Sequence, residues 1–421
     1  NQACLNSAEH EKNQGRKVLN VPNLRFKEFQ GEWKEERLAD IADLYKGTGI
    51  SKEQLSDDGE PCILYGELYT KYKSETIREV ISKTNIDNTK LVRSKVNDVI
   101  IPCSGETAED IAIARCVLNG NILLGGDLNI IRLHGYDGAF MSYQLNGRRK
   151  YDIAKVAQGV SVVHLYGEHL KGVKTFNPCL EEQKKIAGLL ALLDERIATQ
   201  NKIIDKLQSL IKGLEDNLLD NPLWEKTYLR SFMQFFSTNS LSWEQLSYKE
   251  GAIRNLHYGL IHGFQTRGIN SASLPMIKNE AIPKQYTLCQ VGDVAFADAS
   301  EDTGEIAKSV EFVDTIEGDT ICGLHTIHGR DIKNRTVVGF KGFAFNSRYF
   351  HNQIKRLAQG TKVFSITANN LSSCYVYLPD FDTQKAIVKL LKAYEEKLLV
   401  SKRLLEQYEK QKQYLLRQMF I

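Results

Sequence analysis

Two long segments of this chain are copies of the same helix. The segment NPCLEEQKKIAGLLALLDERI and the segment LPDFDTQKAIVKLLKAYEEKL align without gaps at an offset of 201 residues, which places Pro178 on Pro379 and Gln183 on Gln384. An internal repeat constrains the architecture more than any single motif does, because both copies must be explained by one fold. The chain is therefore expected to consist of two related halves.

The similarity extends beyond the helices. EWKEERLADIA matches LWEKTYLRSFM at an offset of 191, LYGELYT matches HYGLIHG at 193, and VNDVIIPCSGET matches VGDVAFADASEDT at 195 or 196. AQGVSVV then matches AQGTKVF at 201. The offset grows steadily along the chain, as in a duplicated domain with small insertions, whereas chance matches would scatter. We predict two copies of a mixed β domain of about 150 residues, each followed by one long helix.

Strands are predicted where β-branched and aromatic runs are bounded by Gly, Asp and Asn. These runs are DVIIPC, NILLGG, LNIIRL, DVAFAD and RTVVGF. Short helices are predicted around Tyr143–Val156 and Asn346–Ala358.

The long helices carry the heptad pattern of a coiled coil, with apolar residues at alternating intervals of four and three. A polar interruption recurs at the same position, Gln200 in the first copy and Ser401 in the second. Two matched seams in one chain favour an intramolecular antiparallel pair over a homodimer zipper or a helix packed only on its own domain. The predicted seam residues are Ile186, Leu190, Leu193, Ile197, Ile204, Leu207, Ile387, Leu391, Tyr394, Leu398, Leu405 and Tyr408.

The predicted fold class is α+β, with two pseudo-twofold-related domains of mixed β character separated by two long antiparallel coiled-coil helices. The expected boundaries are a leader at 1–20, disordered or bound to a partner, a first domain at 21–179, a long helix at 180–220, a second domain at 221–379 and a second long helix at 380–421.

Apolar residues outside the seam exceed what two helices can bury. They predict docking against either a partner helix or the adjacent domain, and they are Leu189, Leu192, Ile203, Leu210, Leu219, Leu390, Leu399 and Leu404.

Composition narrows the class of protein. With 421 residues, 42% hydrophobic and 25% charged, the chain can form two or more globular domains. Its eight cysteines form no Cys-x-x-Cys pair, which favours a reducing cytoplasm. No apolar run approaches the roughly 20 residues of a membrane span, and residues 1–20 lack the apolar core of a signal peptide. A formal charge of +3 does not identify a polyanionic partner.

Taken together, these features resemble the specificity subunit of type I restriction-modification enzymes, a bacterial defence system. The resemblance rests on NPCLEEQKKIAGLLALLDERI, the leader VPNLRFKEFQGEWKEERLADI, the AQG segment before each long helix and the duplicated layout, which together cover nearly the whole chain. It implies two target-recognition domains that each read half of a split, asymmetric site in double-stranded DNA, with the helices as the spacer.

The same resemblance implies partners. Two methyltransferase subunits would modify adenine, and motor-nuclease subunits would cut unmodified DNA. S-adenosylmethionine and ATP with Mg would then bind those subunits, and this chain would carry neither a cofactor nor catalytic residues.

Candidate DNA contacts follow from charge and side-chain chemistry. Basic residues dominate 321–362 and acidic residues dominate 291–320, which predicts one face attractive to phosphate. Base edges are read by donors and acceptors on loops. The predicted DNA-binding residues are Tyr65, Lys71, Tyr72, Lys73, Ser104, Thr107, Arg148 and Arg149 in the first half, and Arg254, Asn255, His257, His262, Arg267, Thr303, Arg330 and Lys333 in the second.

Two motifs offer an enzymatic alternative. YKGTG at Tyr45–Gly49 resembles a glycine turn for S-adenosylmethionine, and NPLW at Asn221–Trp224 resembles the motif that holds a flipped base. The first follows only a short, partly charged apolar stretch, and the second lacks the middle proline and lies at a helix end. We predict a non-catalytic subunit. The alternatives are a stand-alone methyltransferase or restriction enzyme with fused recognition domains, and a coiled-coil scaffold unrelated to DNA.

A metal site is not predicted. CGLHTIH presents Cys322, His325 and His328 at metal-like spacing, but a structural zinc site uses four ligands and no second cluster is evident in the sequence. The sequence also lacks the phosphate-binding loop Gly-x-x-x-x-Gly-Lys-Ser/Thr, so we do not expect this chain to bind ATP.

Overall fold

The computed structural model describes residues 19–421 apart from 88, 89, 160, 161, 315 and 317, so most of the predicted leader lies outside the described residues. The chain divides into two compact units. Unit 1 takes in the chain up to Thr199 together with Leu405–Ile421, and unit 2 is Gln200–Leu404. Within the described residues, no helix combines the length and the apolar character needed to cross a membrane.

Unit 1 is built on a five-stranded sheet in the order β2-β11-β7-β9-β5 and a four-stranded sheet in the order β10-β4-β6-β3. Strand β7 is buried along its whole length, as a run of β-branched residues predicts for a central strand. The strands are β1 Lys34–Arg37, β2 Ala42–Lys46, β3 Leu55–Ser56, β4 Glu60–Ile63, β5 Thr76–Ile77, β6 Ser82–Thr84, β7 Asp98–Pro102, β8 Ser104–Gly105, β9 Arg115–Val117, β10 Leu123–Leu124, β11 Leu128–Leu133, β12 Val163–His164 and β13 Lys174–Asn177. The helices up to the first long one are α1 Leu38–Ile41, α2 Glu67–Thr70, α3 Ala108–Ile111, α4 Gly138–Asn146, α5 Lys150–Val156, α6 Gly167–Leu170 and α7 Leu180–Leu219.

Unit 2 repeats this arrangement strand for strand. Its five-stranded sheet runs β15-β24-β20-β22-β18, and its four-stranded sheet runs β23-β17-β19-β16. The strands are β14 Glu225–Tyr228, β15 Met233–Phe236, β16 Leu246–Ser247, β17 Arg254–Leu256, β18 Gly268–Ile269, β19 Met276–Ile277, β20 Val294–Ala297, β21 Ala299–Ser300, β22 Ser309–Phe312, β23 Thr320–Cys322, β24 Thr326–Asp331, β25 Phe364–Ser365 and β26 Tyr375–Leu378. The helices are α8 Tyr258–Gly263, α9 Phe340–Ala344, α10 Arg348–Leu357, α11 Ala368–Ser373 and α12 Phe381–Gln418. The predicted α+β class and the two sheet-based domains are confirmed.

One predicted strand, RTVVGF, is wrong. Its residues form an irregular turn that leads into α9. The backbone N–H of Thr336 donates to Asp331 and that of Val337 donates to Gln384, so side chains take the bonds that a sheet would use. Gly339 then adopts a left-handed conformation with φ of 93°, which a β-branched residue would disfavour. The apolar pattern resembles that of a strand, but the backbone N–H groups of Thr336 and Val337 already donate to side chains.

The repeated Pro and Gln anchor the start of each long helix. Gln183 donates to the carbonyl of Pro178 at 2.8 Å, and it accepts from the backbone N–H of Asp137. Gln384 does the same with Pro379 at 3.0 Å and with the N–H of Val337. Both glutamines are buried, so each helix is hydrogen-bonded to its own domain at its first turn.

In unit 1 the beginning of α7 packs against the end of α12, which makes the two helices antiparallel there. Ile186 and Leu190 share a core with Met419 and Phe420, and the ring of Trp33 lies 6.4 Å from that of Phe420. The last residues of the chain therefore complete the core of the first domain.

A buried ion cluster lies beside this core. Lys412 contacts the carboxylates of Glu75 and Asp194, the latter at 2.7 Å. Asp194 also accepts hydrogen bonds from the hydroxyls of Tyr143 and Ser74.

In unit 2 the two polar interruptions of the heptad pattern meet. The side-chain amide of Gln200 donates to the carbonyl of Ser401 at 3.1 Å, and both residues are buried. Further along, Arg267 lies between the carboxylates of Glu215 at 3.2 Å and Glu395 at 3.3 Å. The ion pairs of Arg267 specify one register of the two helices in this unit, because a shifted register would leave a buried carboxylate without its partner.

The predicted seam residues differ in burial. Ile186, Leu190, Leu193, Ile204, Leu207, Ile387 and Leu391 are buried, whereas Ile197, Tyr394, Leu398, Leu405 and Tyr408 are half-buried. Among the off-seam residues, Leu219 joins the core of the second domain, Leu399 is half-buried, and Leu189, Leu192, Ile203, Leu210, Leu390 and Leu404 are exposed.

The Arg267 cluster predicts a pH-dependent stability. Burial raises the pKa of Glu395 to about 7 despite Arg267, and the neighbouring Glu215 contributes to the rise. The folded state then keeps a proton that the unfolded carboxyl releases near 4.5, so stability falls as the pH rises from about 4.5 to 7. Between pH 5.5 and pH 8, the free energy of unfolding of Glu395→Gln should therefore rise by about 1–3 kcal/mol relative to that of wild type, as measured by urea unfolding. Glu396→Gln, at an exposed neighbour, is the control, and equal pH profiles for wild type and Glu395→Gln would contradict this assignment.

Candidate nucleic-acid interface

The first domain has a polar and aromatic pocket formed by α2 and the antiparallel pair of strands β8 and β12. Its volume is about 520 Å³, and its lining includes Tyr65, Tyr69, Ser104 and Val162. The Tyr69 hydroxyl donates to the carbonyl of Ser104 at 2.8 Å, which joins the helix to β8. Tyr65 and Val162 are 39% and 54% exposed. We call these four residues the first loop cluster; a tyrosine face beside hydroxyl groups suits stacking on bases and hydrogen bonding to their edges.

The other predicted DNA contacts of the first half differ in exposure and in whether they already have a partner within the protein. Lys71 is bound to Glu67 at 2.7 Å and to the Ser82 hydroxyl, so its charge is already paired. Lys73 is exposed and its ammonium donates to the Tyr69 carbonyl at 3.1 Å. Thr107 is exposed and caps α3 with its hydroxyl. Tyr72 is buried, which argues against direct contact with DNA.

Arg148 and Arg149 bind the end of the chain. Arg148 donates to the carbonyl of Arg417 at 2.6 Å and Arg149 donates to that of Ile421 at 2.8 Å. Cations near a helix C-terminus satisfy free carbonyl groups and the negative end of the dipole. In this structure they hold the last turn of α12 and the residues that follow it, and their contact with phosphate stays a prediction.

The second domain has an aromatic and histidine cluster at the start of α8. The ring of His257 lies 4.4 Å from Trp243 and 4.8 Å from Tyr258, and Tyr258 lies 5.3 Å from His325. We call these four residues the second loop cluster. Trp243 and His325 are exposed, whereas His257 is buried. Burial and the nearby His325 lower the pKa of His257, so its imidazole is neutral at physiological pH.

The remaining predicted residues of the second half are spread over several places. Asn255 is fully buried and His257 nearly so, and burial removes both from direct base contact. Arg254 donates to the carbonyls of Ala272 and Leu274. His262 contacts Glu305, Thr303 is exposed, and Arg267 belongs to the buried helix cluster.

Three basic residues of 321–362 are already paired with carboxylates. Arg330 binds Asp293 through two hydrogen bonds of 2.8 and 2.7 Å. Lys341 is buried against Glu311 at 3.0 Å, and Arg335 binds Glu225. Lys333, Lys355, Arg356 and Lys362 are exposed, so the face attractive to phosphate stays a prediction.

Sequence reasoning missed several residues of both clusters. Tyr69 and Val162 were not singled out in the first half, and Trp243, Tyr258 and His325 were not chosen as contacts in the second. The available signal was the alignment of Tyr65 with Tyr258 at the start of α2 and α8. That alignment located helices α2 and α8, but not the strands and loops that pack beside them.

Comparison with known proteins is consistent with this geometry. The family model for the type I restriction modification DNA specificity domain matches residues 30–209. The chain is 24% identical over 411 residues to the type I restriction enzyme MjaVIII specificity subunit of Methanocaldococcus jannaschii, covering 92% of this chain and 93% of that protein.

Two solved structures share the fold. The S subunit of a type I restriction-modification system from M. genitalium superposes with a TM-score of 0.61 at 16% identity, over 95% of this chain and 99% of that one. A structure described as the basis of complex assembly and conformational transition of the type I R-M system gives 0.53 at 13% identity, over 92% and 97%. The resemblance predicted from the repeated motifs is confirmed.

The different roles of Lys73 and Arg148 can be tested on double-stranded DNA. Lys73→Ala should weaken binding and reduce the slope of log affinity against log salt by about 0.9, because one phosphate contact is lost. Arg148→Ala should leave the slope unchanged and instead lower the unfolding midpoint, because it frees a helix end. Fluorescence anisotropy over a salt series and urea unfolding measure the two effects. A slope reduced by Arg148→Ala would restore that residue to the interface.

Proposed function

We propose that this chain is a specificity subunit of a type I restriction-modification enzyme and that it selects the DNA sequence on which its partner subunits act. It would bind a bipartite, asymmetric target in double-stranded DNA, one half-site per domain. It would itself be non-catalytic and would act in the cytoplasm.

The observation that carries this proposal is the contrast between conserved scaffold and divergent surface. The two copies keep the strand order of both sheets and the Pro and Gln anchor of each long helix. Their loop clusters differ: tyrosines, a serine and a valine in the first, and tryptophan, tyrosine and histidines in the second. Two different readers on one scaffold are expected to recognise two different half-sites, which makes the whole target non-palindromic.

The spacing of the half-sites is assigned to the two long helices. Helix α7 has 40 residues and α12 has 38. At about 1.5 Å per residue each is long enough to span more than the roughly 34 Å of one turn of B-DNA. Half-sites about 10 base pairs apart, centre to centre, would present the same face of the duplex to both readers. The contacts of Arg267 with Glu215 of α7 and Glu395 of α12 would hold the helices in one register.

The exposed apolar residues of the long helices support partner docking. Leu189 and Ile203 are 37% and 39% exposed on α7, and their repeat equivalents Leu390 and Leu404 are 41% and 39% exposed on α12. Because the same positions recur 201 residues apart, they would form two equivalent docking sites, one for each of two methyltransferase subunits. Motor-nuclease subunits would join that assembly. S-adenosylmethionine and ATP with Mg would be bound by those partners.

Mapping of modified adenines tests the proposed function. The chain is co-expressed with its methyltransferase subunit, a random-sequence DNA library is methylated, and the modified sites are read. We expect one split, asymmetric motif with a fixed gap. Tyr65→Ala should relax specificity in one half of the motif and Tyr258→Ala in the other. Each lost base contact reduces discrimination by about 1–3 kcal/mol.

Two variants control this experiment. Tyr248→Ala removes an exposed tyrosine outside both clusters and should leave the motif intact. Tyr258→Phe keeps the packing of the ring. Scattered methylation by the wild-type complex, or a change in both halves from either alanine variant, would contradict the assignment of one reader per half-site.

The docking surface makes a separate prediction. Replacing Leu189 and Ile203 with Glu, or Leu390 and Leu404 with Glu, should reduce the complex from two methyltransferase subunits to one, because charge is placed in one of two equivalent apolar contacts. Native mass spectrometry counts the subunits. Leu223→Glu is the control, since this leucine is 91% exposed and lies outside the helices. Two bound subunits in both double variants would place the docking surface elsewhere.

A further inference from the structure

Three potential metal ligands meet inside the second domain. Cys289, Cys322 and His328 are buried, and one ligand atom from each lies within 4.8 Å of the others. The sulfur atoms of Cys289 and Cys322 are 3.6 Å apart. This set differs from the one suggested by CGLHTIH, because His325 contacts Asp298 instead and Cys289 comes from a distant segment.

Regular backbone structure fixes the position of each ligand. Cys289 donates its backbone N–H to the carbonyl of Thr320 at 2.8 Å. Cys322 ends β23, where it pairs with Leu256 of β17. His328 lies in β24 opposite Ala295. Ligands on paired strands are held in place before a metal arrives, so little order has to be created on binding.

The distances suit a tetrahedral zinc ion. With a zinc–sulfur distance of about 2.3 Å, two thiolates on a tetrahedron lie roughly 3.8 Å apart. The observed separation of 3.6 Å is close to this value. Two thiolates and an imidazole also form a donor set that binds zinc in preference to harder cations.

A carboxylate holds the imidazole of His328, as is common for histidines that bind metals. Its Nε2 lies 2.7 Å from a carboxylate oxygen of Asp293, and Arg330 holds the same carboxylate. A carboxylate partner places the proton on Nε2 and leaves the lone pair of Nδ1 for a metal.

The duplication supplies an internal comparison. Strand register places Ser94, Leu124 and Ile130 of the first domain where the second has Cys289, Cys322 and His328. The first domain forms the same strands, and it keeps the equivalent ion pair of Arg132 with Asp98 at 2.7 Å. The fold therefore does not require sulfur or imidazole at these positions.

We propose that Cys289, Cys322 and His328 bind one zinc ion, with a water molecule as the fourth ligand. The water would enter from a cavity of about 270 Å³ that Cys322 and His328 line together with polar side chains, among them Thr238, Asn239 and Thr287. On binding, each thiol releases its proton to solvent and the two thiolates coordinate the metal. The site cross-links the segment before β20 with β23 and β24. It is independent of the proposed DNA function.

Cobalt substitution tests the site on the full chain. The protein, reduced and stripped of metal by a chelator, is titrated with Co²⁺. We expect one equivalent to produce a near-ultraviolet thiolate-to-cobalt charge-transfer band and the visible bands of tetrahedral cobalt, and one equivalent of Zn²⁺ to abolish both. Protein expressed with zinc should contain about one zinc per chain by elemental analysis, as structural zinc sites do.

Matched variants assign the ligands. Cys289→Ser with Cys322→Leu installs the residues of the first domain and should remove the charge-transfer band and at least nine-tenths of the zinc. Cys374→Ser, at another buried cysteine, should change neither. If the double variant fails to fold, His328→Ile alone decides the matter, since it leaves both thiols in place and should still lower the zinc content several-fold.

Three results would overturn the proposal: no cobalt band in the wild-type protein, zinc content unchanged in the double variant, or a zinc-free chain whose mass is two hydrogens lower without reductant. In the last case, peptide mapping that places the disulfide between Cys289 and Cys322 would identify them as a redox pair.

Discussion

The contact on which the rest of unit 1 depends is the return of the C-terminal helix to the first domain. Lys412 neutralises Glu75 and Asp194 in the interior, and Asp194 is held in turn by Tyr143 and Ser74. Removing one partner of such a buried pair leaves an uncompensated charge and typically costs about 3–5 kcal/mol. Because Met419 and Phe420 also pack with Trp33, the first domain reaches its full core only when the last residues of the chain are in place.

This closure connects folding with function. The first domain cannot be complete without the end of α12, and the start of α12 is hydrogen-bonded to the second domain through Gln384. The equivalent Gln183 ties α7 to the first domain. Each reader is thus anchored to a helix that also forms part of the other unit, and the helices are continuous over 40 and 38 residues.

Much of the scaffold could be predicted from the sequence, because the chain contains two copies of it. The limits of α7 and α12, the fold class and the equivalent polar positions Gln200 and Ser401 follow from local periodicity repeated in register. Long-range choices were not predictable. The apolar run RTVVGF is not a strand because Asp331 and Gln384 capture its N–H groups. Arg148 serves a helix end, and Cys289 joins a site whose other ligands lie more than thirty residues away. Local composition carries no information about which distant group a side chain will meet.

The central proposal is that the two long helices set the gap between the two DNA half-sites. Inserting one heptad into α7 after Thr199 and one into α12 after Leu404, and mapping the modified adenines of the resulting complex, tests it most directly. Seven residues add about 10 Å to each helix, which corresponds to roughly 3 base pairs. The account predicts the same two half-sites with the gap widened by about that amount. An unchanged gap with an active complex would contradict it, since some other element would then set the distance between the half-sites.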